Sequence, residues 1–261
     1  LVESVFIRVD KVSKAFKNKE QTVRVLNDVT FGIKRGEMIS ILGESGCGKS
    51  TLLNIIGGFE RPDEGKVFID GNQVNQANRK CIMLFQNYGL LPWRSVLNNV
   101  ELGLEGEKMG VKERKERARA YLNLVGLGDK VDLFPHEISG GMQQRVAIAR
   151  ALAIQPELIL MDEPFGALDT FNRYYLQDEL LRIQEQEKTT IILVTHDIDE
   201  AIYLSDRVIM MKANPGEINK ELTITLSKPR DRSHGDFQQY RKTIFEEFHF
   251  NRPAPSIEFN I

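Results

Sequence analysis

Three short stretches carry residues whose types and spacing could do chemistry together. In "GESGCGKST", Gly43 to Thr51, the spacing is Gly-x-x-x-x-Gly-Lys-Ser, after the apolar "MISIL" and before the helical "TLLNII". Glycines let backbone N–H groups close on a phosphate, and the helix that follows points its positive end at the same anion. In this reading Gly43, Glu44, Ser45, Gly46, Cys47 and Gly48 wrap the β-phosphate of a nucleoside triphosphate. Lys49 bridges the β- and γ-phosphates, Ser50 ligates Mg²⁺, and Thr51 lies close to the α-phosphate. Cys47 is expected to meet thiol reagents and has no catalytic role. The second stretch, "ELILMDEP", supplies the acids such a loop needs. Asp162 ends a buried strand and holds the metal through water, and Glu163 is the general base for the attacking water. The third, "ISGGMQQRVAIARALA", sets Ser139, Gly140 and Gly141 at a helix start, where Ser139 caps and the glycines leave N–H groups open. One chain thus offers two phosphate-facing helix ends. They reach one γ-phosphate only if two subunits meet head to tail.

These elements need a scaffold, and the patterning describes one. Val5, Ile7 and Val9 alternate with polar residues, as do Val29, Phe31 and Ile33, and "PDEGKVFIDGNQV" adds a hairpin arm. That predicts a β-rich opening lobe. From Arg94 to Arg150 the spacing is helical, which predicts an inserted helical lobe. After Pro156 the apolar runs "LILMDEP", "TTIILVTH" and "RVIMMKA" alternate with helices, the pattern of a buried parallel sheet. Phe237, Tyr240, Ile244, Phe245 and Phe248 share a helical face that is expected to dock on the body, with "NRPAPSIEFNI" loose beyond it. The fold class is therefore α/β, with a phosphate-loop core on a parallel sheet, an antiparallel β subdomain and an inserted α-helical subdomain.

The sequence resembles the ATP-binding subunits of ABC transporters over about Val5 to Leu226. The resemblance divides the chain into an ATPase domain at 1–230, with the helical insertion at about 87–150, and a C-terminal helix and tail at 231–261. It implies ATP and Mg²⁺ as cofactors. It makes Gln86 of "LFQNYGLLPW" the glutamine that joins the core to the helical lobe and touches Mg²⁺ and water. Ser139, Gly140 and Gly141 become the signature that contacts ATP in the partner subunit, although Ile138 and Met142 replace the usual Leu and Gln beside them. Asp169 of "GALD" belongs to the loop that crosses the dimer interface, and His196 of "VTHD" is the switch histidine on the γ-phosphate. Phe16 stands under the adenine, with Val25 lining the same pocket.

The wording of "FQNYGLLPWRSVLNNV", "SGGM", "DEPFGALD" and "NPGEI" is similar to importers of nitrate, aliphatic sulfonates, taurine, bicarbonate or related solutes. The implied partners are a second ATPase subunit, identical or related, two membrane permeases and an extracytoplasmic solute-binding protein. An export subunit, or an ABC ATPase of translation or DNA repair, is the alternative. Leu90, Leu91, Pro92 and Trp93 lie where the family's permease docks, and Trp93 reads equally as core. A net charge of -2 gives no reason to invoke nucleic acid, and "KERKERARA" mixes Glu with its cations as a solvated helix face does. Two cysteines are too few for a disulfide framework. No apolar run is long enough to cross a bilayer and no signal-like start is seen, so the chain is expected peripherally on the cytoplasmic face of the membrane. The short segment beyond Leu226 is expected to hold no regulatory domain.

Overall fold

The computed structural model describes residues 5–17, 21–78, 80–84 and 88–250. The chain opens with β1 (Val5–Lys17) and β2 (Thr22–Lys34), then β3 (Met38–Gly43), α1 (Lys49–Ile56), and the β4 (Glu64–Ile69) and β5 (Asn72–Gln73) hairpin. Next come β6 (Cys81–Leu84) and three helices, α2 (Val96–Leu104), α3 (Val111–Leu124) and α4 (Gly140–Ala153). Then follow β7 (Leu158–Asp162), α5 (Thr170–Glu187), β8 (Thr190–Thr195), α6 (Ile198–Leu204), β9 (Arg207–Lys212), β10 (Glu217–Thr223) and α7 (Gly235–Phe250).

Two sheets result. One is antiparallel with strand order β2-β1-β4-β5. The other runs β10-β9-β3-β8-β7-β6, parallel except for β10 at its edge. β3 and β8 are buried along their whole length, as central strands covered on both faces must be. On one face Ile39, Ile41 and Ile192 pack with Leu52 and Leu53 of α1 and with Ile7, Val29 and Ile33 of the antiparallel sheet. On the other, Met38, Leu42 and Leu193 pack with Val146, Leu180, Ile202, Phe237 and Ile244. Each such fully buried aliphatic side chain contributes about 1.5–3 kcal/mol relative to exposure. No helix among the described residues is long and apolar enough to cross a membrane.

One feature differs from the sequence expectation, and one open reading is decided. The stripe on α7 buries Phe237 and Ile244 completely and packs Tyr240 and Phe248 against the core, yet Phe245 is 52% exposed. It lies where α7 passes the phosphate loop and borders an open cleft. Trp93, open to a core reading, is 71% exposed. The segment "NRPAPSIEFNI" lies outside the described residues.

Candidate nucleotide site

Parallel register brings the chemistry to one end of the larger sheet. Leu42 pairs with Thr195 and Asp162 with Val194, so β3, β7 and β8 end side by side. The loop after β3 is built on glycine where no side chain fits. A Cβ on Gly43 would lie 2.7 Å from Cys47 Sγ and 2.8 Å from the Met211 carbonyl oxygen. Gly48 has φ +93°, and its Cβ would lie 2.7 Å from Leu26 Cδ2. That is the left-handed region, costly for any residue with a Cβ. α2, α4, α5 and α6 each begin under a side-chain cap, from Ser95, Ser139, Asp169 and Asp197. α1 begins at Gly48 with no side-chain cap, so its first N–H groups are left for an anion.

Lys49 lies over this loop, almost fully buried, and its Nζ donates to the carbonyls of Gly43 (2.8 Å) and Glu44 (2.9 Å). Ser50 hydrogen-bonds the Asp162 carboxylate, with Glu163 and Lys49 acting on the same group through charge. Burial pushes the Asp162 carboxyl above its usual range, and the Ser50 bond and the Lys49 charge oppose that. A hydroxyl bonded to a half-buried carboxylate beside an open helix end is the donor set Mg²⁺ takes at a phosphate chain, so the residues fit the ion.

Glu163 follows the last residue of β7 in the left-handed region (φ 49°), and its N–H donates to the Val194 carbonyl (2.9 Å). That turn carries the carboxylate out of the sheet, where Oε1 is 3.0 Å from His196 Nδ1. An acidic side chain held in this unfavourable backbone conformation at a strand end is the kind of strain that functional sites retain.

The second helix end is also present. Ser139 Oγ accepts from the Met142 N–H (3.3 Å), while Ser139 and Gly140 are exposed to solvent. The atoms nearest a Cβ on Gly140 or Gly141 belong to Tyr88, Leu168 and Ala167, none of them from the phosphate loop. Within one chain the two glycines of this end thus make no close contact with the phosphate loop. Asp169 uses its carboxylate to cap α5, accepting from the Asn172 N–H (3.1 Å) and side-chain amide (2.6 Å), and those bonds hold it below the usual range.

Phe16 pairs with Val23 across β1 and β2 and stands 42% exposed. Val25, two residues on along the same strand face, packs against Gly48, with Cγ1 3.2 Å from the position its Cβ would take. The aromatic thus stands on the strip that leads to the phosphate loop. Cys47 is fully buried and burial pushes its thiol up, which corrects the expectation of reactivity. Gln86 lies outside the described residues. Sequence reasoning missed Arg173, whose guanidinium donates to the Leu168 carbonyl (3.2 Å) and to Asp197 Oδ2 (3.4 Å). It also missed Gln144, which ties α4 to the Pro164 carbonyl. The Arg173–Asp197 and Gln144–Pro164 ties join residues twenty or more apart in the chain, so no local pattern marks them.

A phosphate loop, a half-buried acid at the end of β7, one strand beyond β8 in the same sheet, and a glutamate paired with a histidine define a P-loop nucleotide hydrolase. The chain belongs to the ABC transporter family, whose family model matches residues 26–166, and as a member it binds ATP with Mg²⁺ and hydrolyses ATP to ADP and phosphate. It is 45% identical over 242 residues to the aliphatic sulfonates import ATP-binding protein SsuB of Bacillus thuringiensis subsp. konkukian, covering 93% of this chain and 95% of that one. It is 42% identical over 234 residues to the nitrate import ATP-binding protein NrtD of Synechococcus elongatus, covering 88% and 85%. Among solved structures, the dimeric post-hydrolysis state of the ATP-binding cassette MJ0796 bound to ADP and Pi superposes with a TM-score of 0.78 at 37% identity, over 85% of this chain and all of that one.

Proposed function

We propose that the chain is the ATP-binding subunit of an importer of a small solute of the nitrate, sulfonate, taurine or bicarbonate kind, and that it works as a head-to-tail dimer. The observation that carries the dimer is the exposed helix end at Ser139 and Gly140, whose glycines have no phosphate loop of their own chain against them. Facing a second copy, it meets the γ-phosphate held by that copy's Lys49. The relatives named for sulfonate, nitrate and bicarbonate transport support the import reading over an export subunit or an ATPase of translation or repair. The second ATPase subunit is an identical or a related chain.

The chain's residues divide the work. Lys49 and the open N–H groups of α1 bind and orient the β- and γ-phosphates, and Gly43, Glu44, Ser45, Gly46, Cys47, Gly48 and Thr51 shape the cradle. Ser50 and Asp162 hold Mg²⁺, with Gln86 assigned to the same ion and to the water. When bound, the metal neutralises charge on the phosphate oxygens. Glu163 takes the proton of the attacking water, and His196 orients that carboxylate and faces the γ-phosphate. Ser139, Gly140 and Gly141 of the other copy add N–H donors to the charge that develops. Phe16 and Val25 receive the adenine, and Asp169 shapes the loop between copies.

Trp93 supports the transport assignment. A large exposed aromatic next to Leu91 and Pro92 fits an apolar partner surface; in the proposed assembly that surface belongs to two permeases, with the chain peripheral on the cytoplasmic face of the membrane. The test is affinity purification from gently solubilised host membranes, with mass spectrometry of what co-purifies. A multi-span permease with an extracytoplasmic binding protein supports the reading, and titration of that binding protein with nitrate, sulfonates, taurine and bicarbonate identifies the solute. A permease alone favours export, and ribosomal or repair partners alone overturn transport.

A further inference from the structure

α7 runs past the phosphate loop and leaves a cleft of about 400 Å³ between them, bordered by Leu42, Ser45, His196, Ile198, Phe245 and Phe248. The cleft is preformed, because α7 is fixed along its length. Phe237 and Ile244 are fully buried, the Tyr240 hydroxyl accepts from the Thr225 N–H (3.2 Å), and Glu247 accepts from Asn219 (3.0 Å) and Lys220 (2.8 Å). Its walls are largely apolar, yet it adjoins the histidine that faces the reacting phosphate.

Elsewhere on the surface stands an aromatic knob. Phe171, on the first turn of α5 two residues past Asp169, is 88% exposed. Its helix start is held in place, since Arg173 two residues on bonds the Leu168 carbonyl and Asp197. Leu168 and Ala167 in turn lie against Gly141, with Leu168 Cδ2 3.2 Å and the Ala167 oxygen 3.5 Å from the position of its Cβ. The knob is thus tied to the Ser139–Gly141 helix end through the Ala167–Asp169 loop, while the cleft borders the phosphate loop.

We propose that Phe171 of the partner subunit seats in the apolar cleft between the phosphate loop and α7, so that a second copy of this chain completes the wall beside His196. The inference rests on the head-to-tail reading. When the Ser139–Gly141 end of one copy closes on the phosphate loop of the other, the knob travels with it towards the cleft that borders the same loop. Two-fold symmetry makes the contact twice, each copy giving a knob and a cleft. A rigid aromatic seated in a desolvated pocket is the usual form of an interface anchor. Seated there, it excludes water from the His196 side of the site and links α7, beyond the reach of the family model's match, to ATP-driven closure.

The test uses the full chain carrying Glu163→Gln, so that ATP is bound and held, with dimerisation followed by analytical ultracentrifugation. Phe171→Ala and Phe245→Ala each weaken the ATP-driven dimer about tenfold, and together they weaken it no further, because the two rings act as one contact. Both side chains are exposed enough for the variants to fold, which unchanged melting temperatures verify. In a second experiment, chains with Phe171→Cys and chains with Phe245→Cys are mixed and oxidised mildly. A disulfide between the two kinds of chain forms with ATP and not without it, since the native Cys47 and Cys81 are buried. An ATP-driven dimer that tolerates both alanines, or in which their effects add, or that gives no mixed disulfide, overturns the proposal and leaves the dimer reading standing. A chain that stays monomeric with ATP overturns both.

Discussion

Glu163 Oε1 stands 3.0 Å from His196 Nδ1, across the ends of two adjacent strands. The pair joins a carboxylate forced out of its strand by a left-handed turn to a ring on the following strand's loop, so neither is placed by its own local sequence. Glu163→Gln keeps the shape and removes the base. Turnover is expected to fall by about 10²–10⁴-fold, with ATP affinity close to that of the parent and an ATP-stabilised dimer in its place. Steady-state phosphate release and nucleotide titration check this, and undiminished hydrolysis would remove Glu163 from the role of base.

Lys49 donates to the Gly43 and Glu44 carbonyls and is nearly buried before any phosphate arrives. The charge is thus held in place over the loop at no further ordering cost on binding. A charge-assisted hydrogen bond contributes about 1.5–3 kcal/mol, so Lys49→Ala is expected to weaken ATP binding by roughly ten- to a hundredfold and to stop turnover. Calorimetric titration with ATP and Mg²⁺ reads this, and parent-like binding and turnover would sink the phosphate-loop assignment.

What could be read from the sequence was what lies contiguous in it. The loop from Gly43 to Thr51, the strand-end acids and the Ser139 helix cap each occupy fewer than about ten residues, and their spacing alone states the chemistry. β6 and β10 were not anticipated. One is four residues long and the other is an edge strand with no fully buried position, so neither carries a clear period. The ties made by Arg173 and Gln144 depend on which loops meet at the sheet end, which no window of sequence contains. Phe245 fell on the expected stripe of α7 yet borders a cleft, because periodicity gives the face of a helix and not what stands opposite each turn.

Trp93 stands 71% exposed beside the start of α2, while Asn99 behind it is fully buried and bonds the Leu91 N–H (2.8 Å) and the Leu91 and Arg94 carbonyls (3.1 and 2.9 Å). The loop is therefore rigid and its aromatic outward. Trp93→Ala is expected to leave the melting temperature and the ATPase rate of the isolated subunit within about twofold of the parent, and to abolish co-purification of the permease. Retention of the permease at parent levels would remove Trp93 from the docking surface.

Glu200 lies behind the switch histidine, its Oε2 accepting from the Thr195 hydroxyl (2.5 Å), with Asp197, Arg173 and His196 acting on it through charge. Burial pushes its carboxyl up to about 7, against an ordinary value of 4.5. In that window the folded chain keeps a proton that the unfolded chain releases, so stability falls as pH rises from about 4.5 to about 7 and is level beyond. The full loss is on the order of 3 kcal/mol. Glu200→Gln keeps an acceptor for Thr195 and removes the titration. Its melting temperature relative to the parent is expected to climb by several degrees between pH 5 and pH 8. Differential scanning calorimetry at those two pH values decides the matter, since a gap that does not change with pH would mean that Glu200 is ionised in the folded chain throughout.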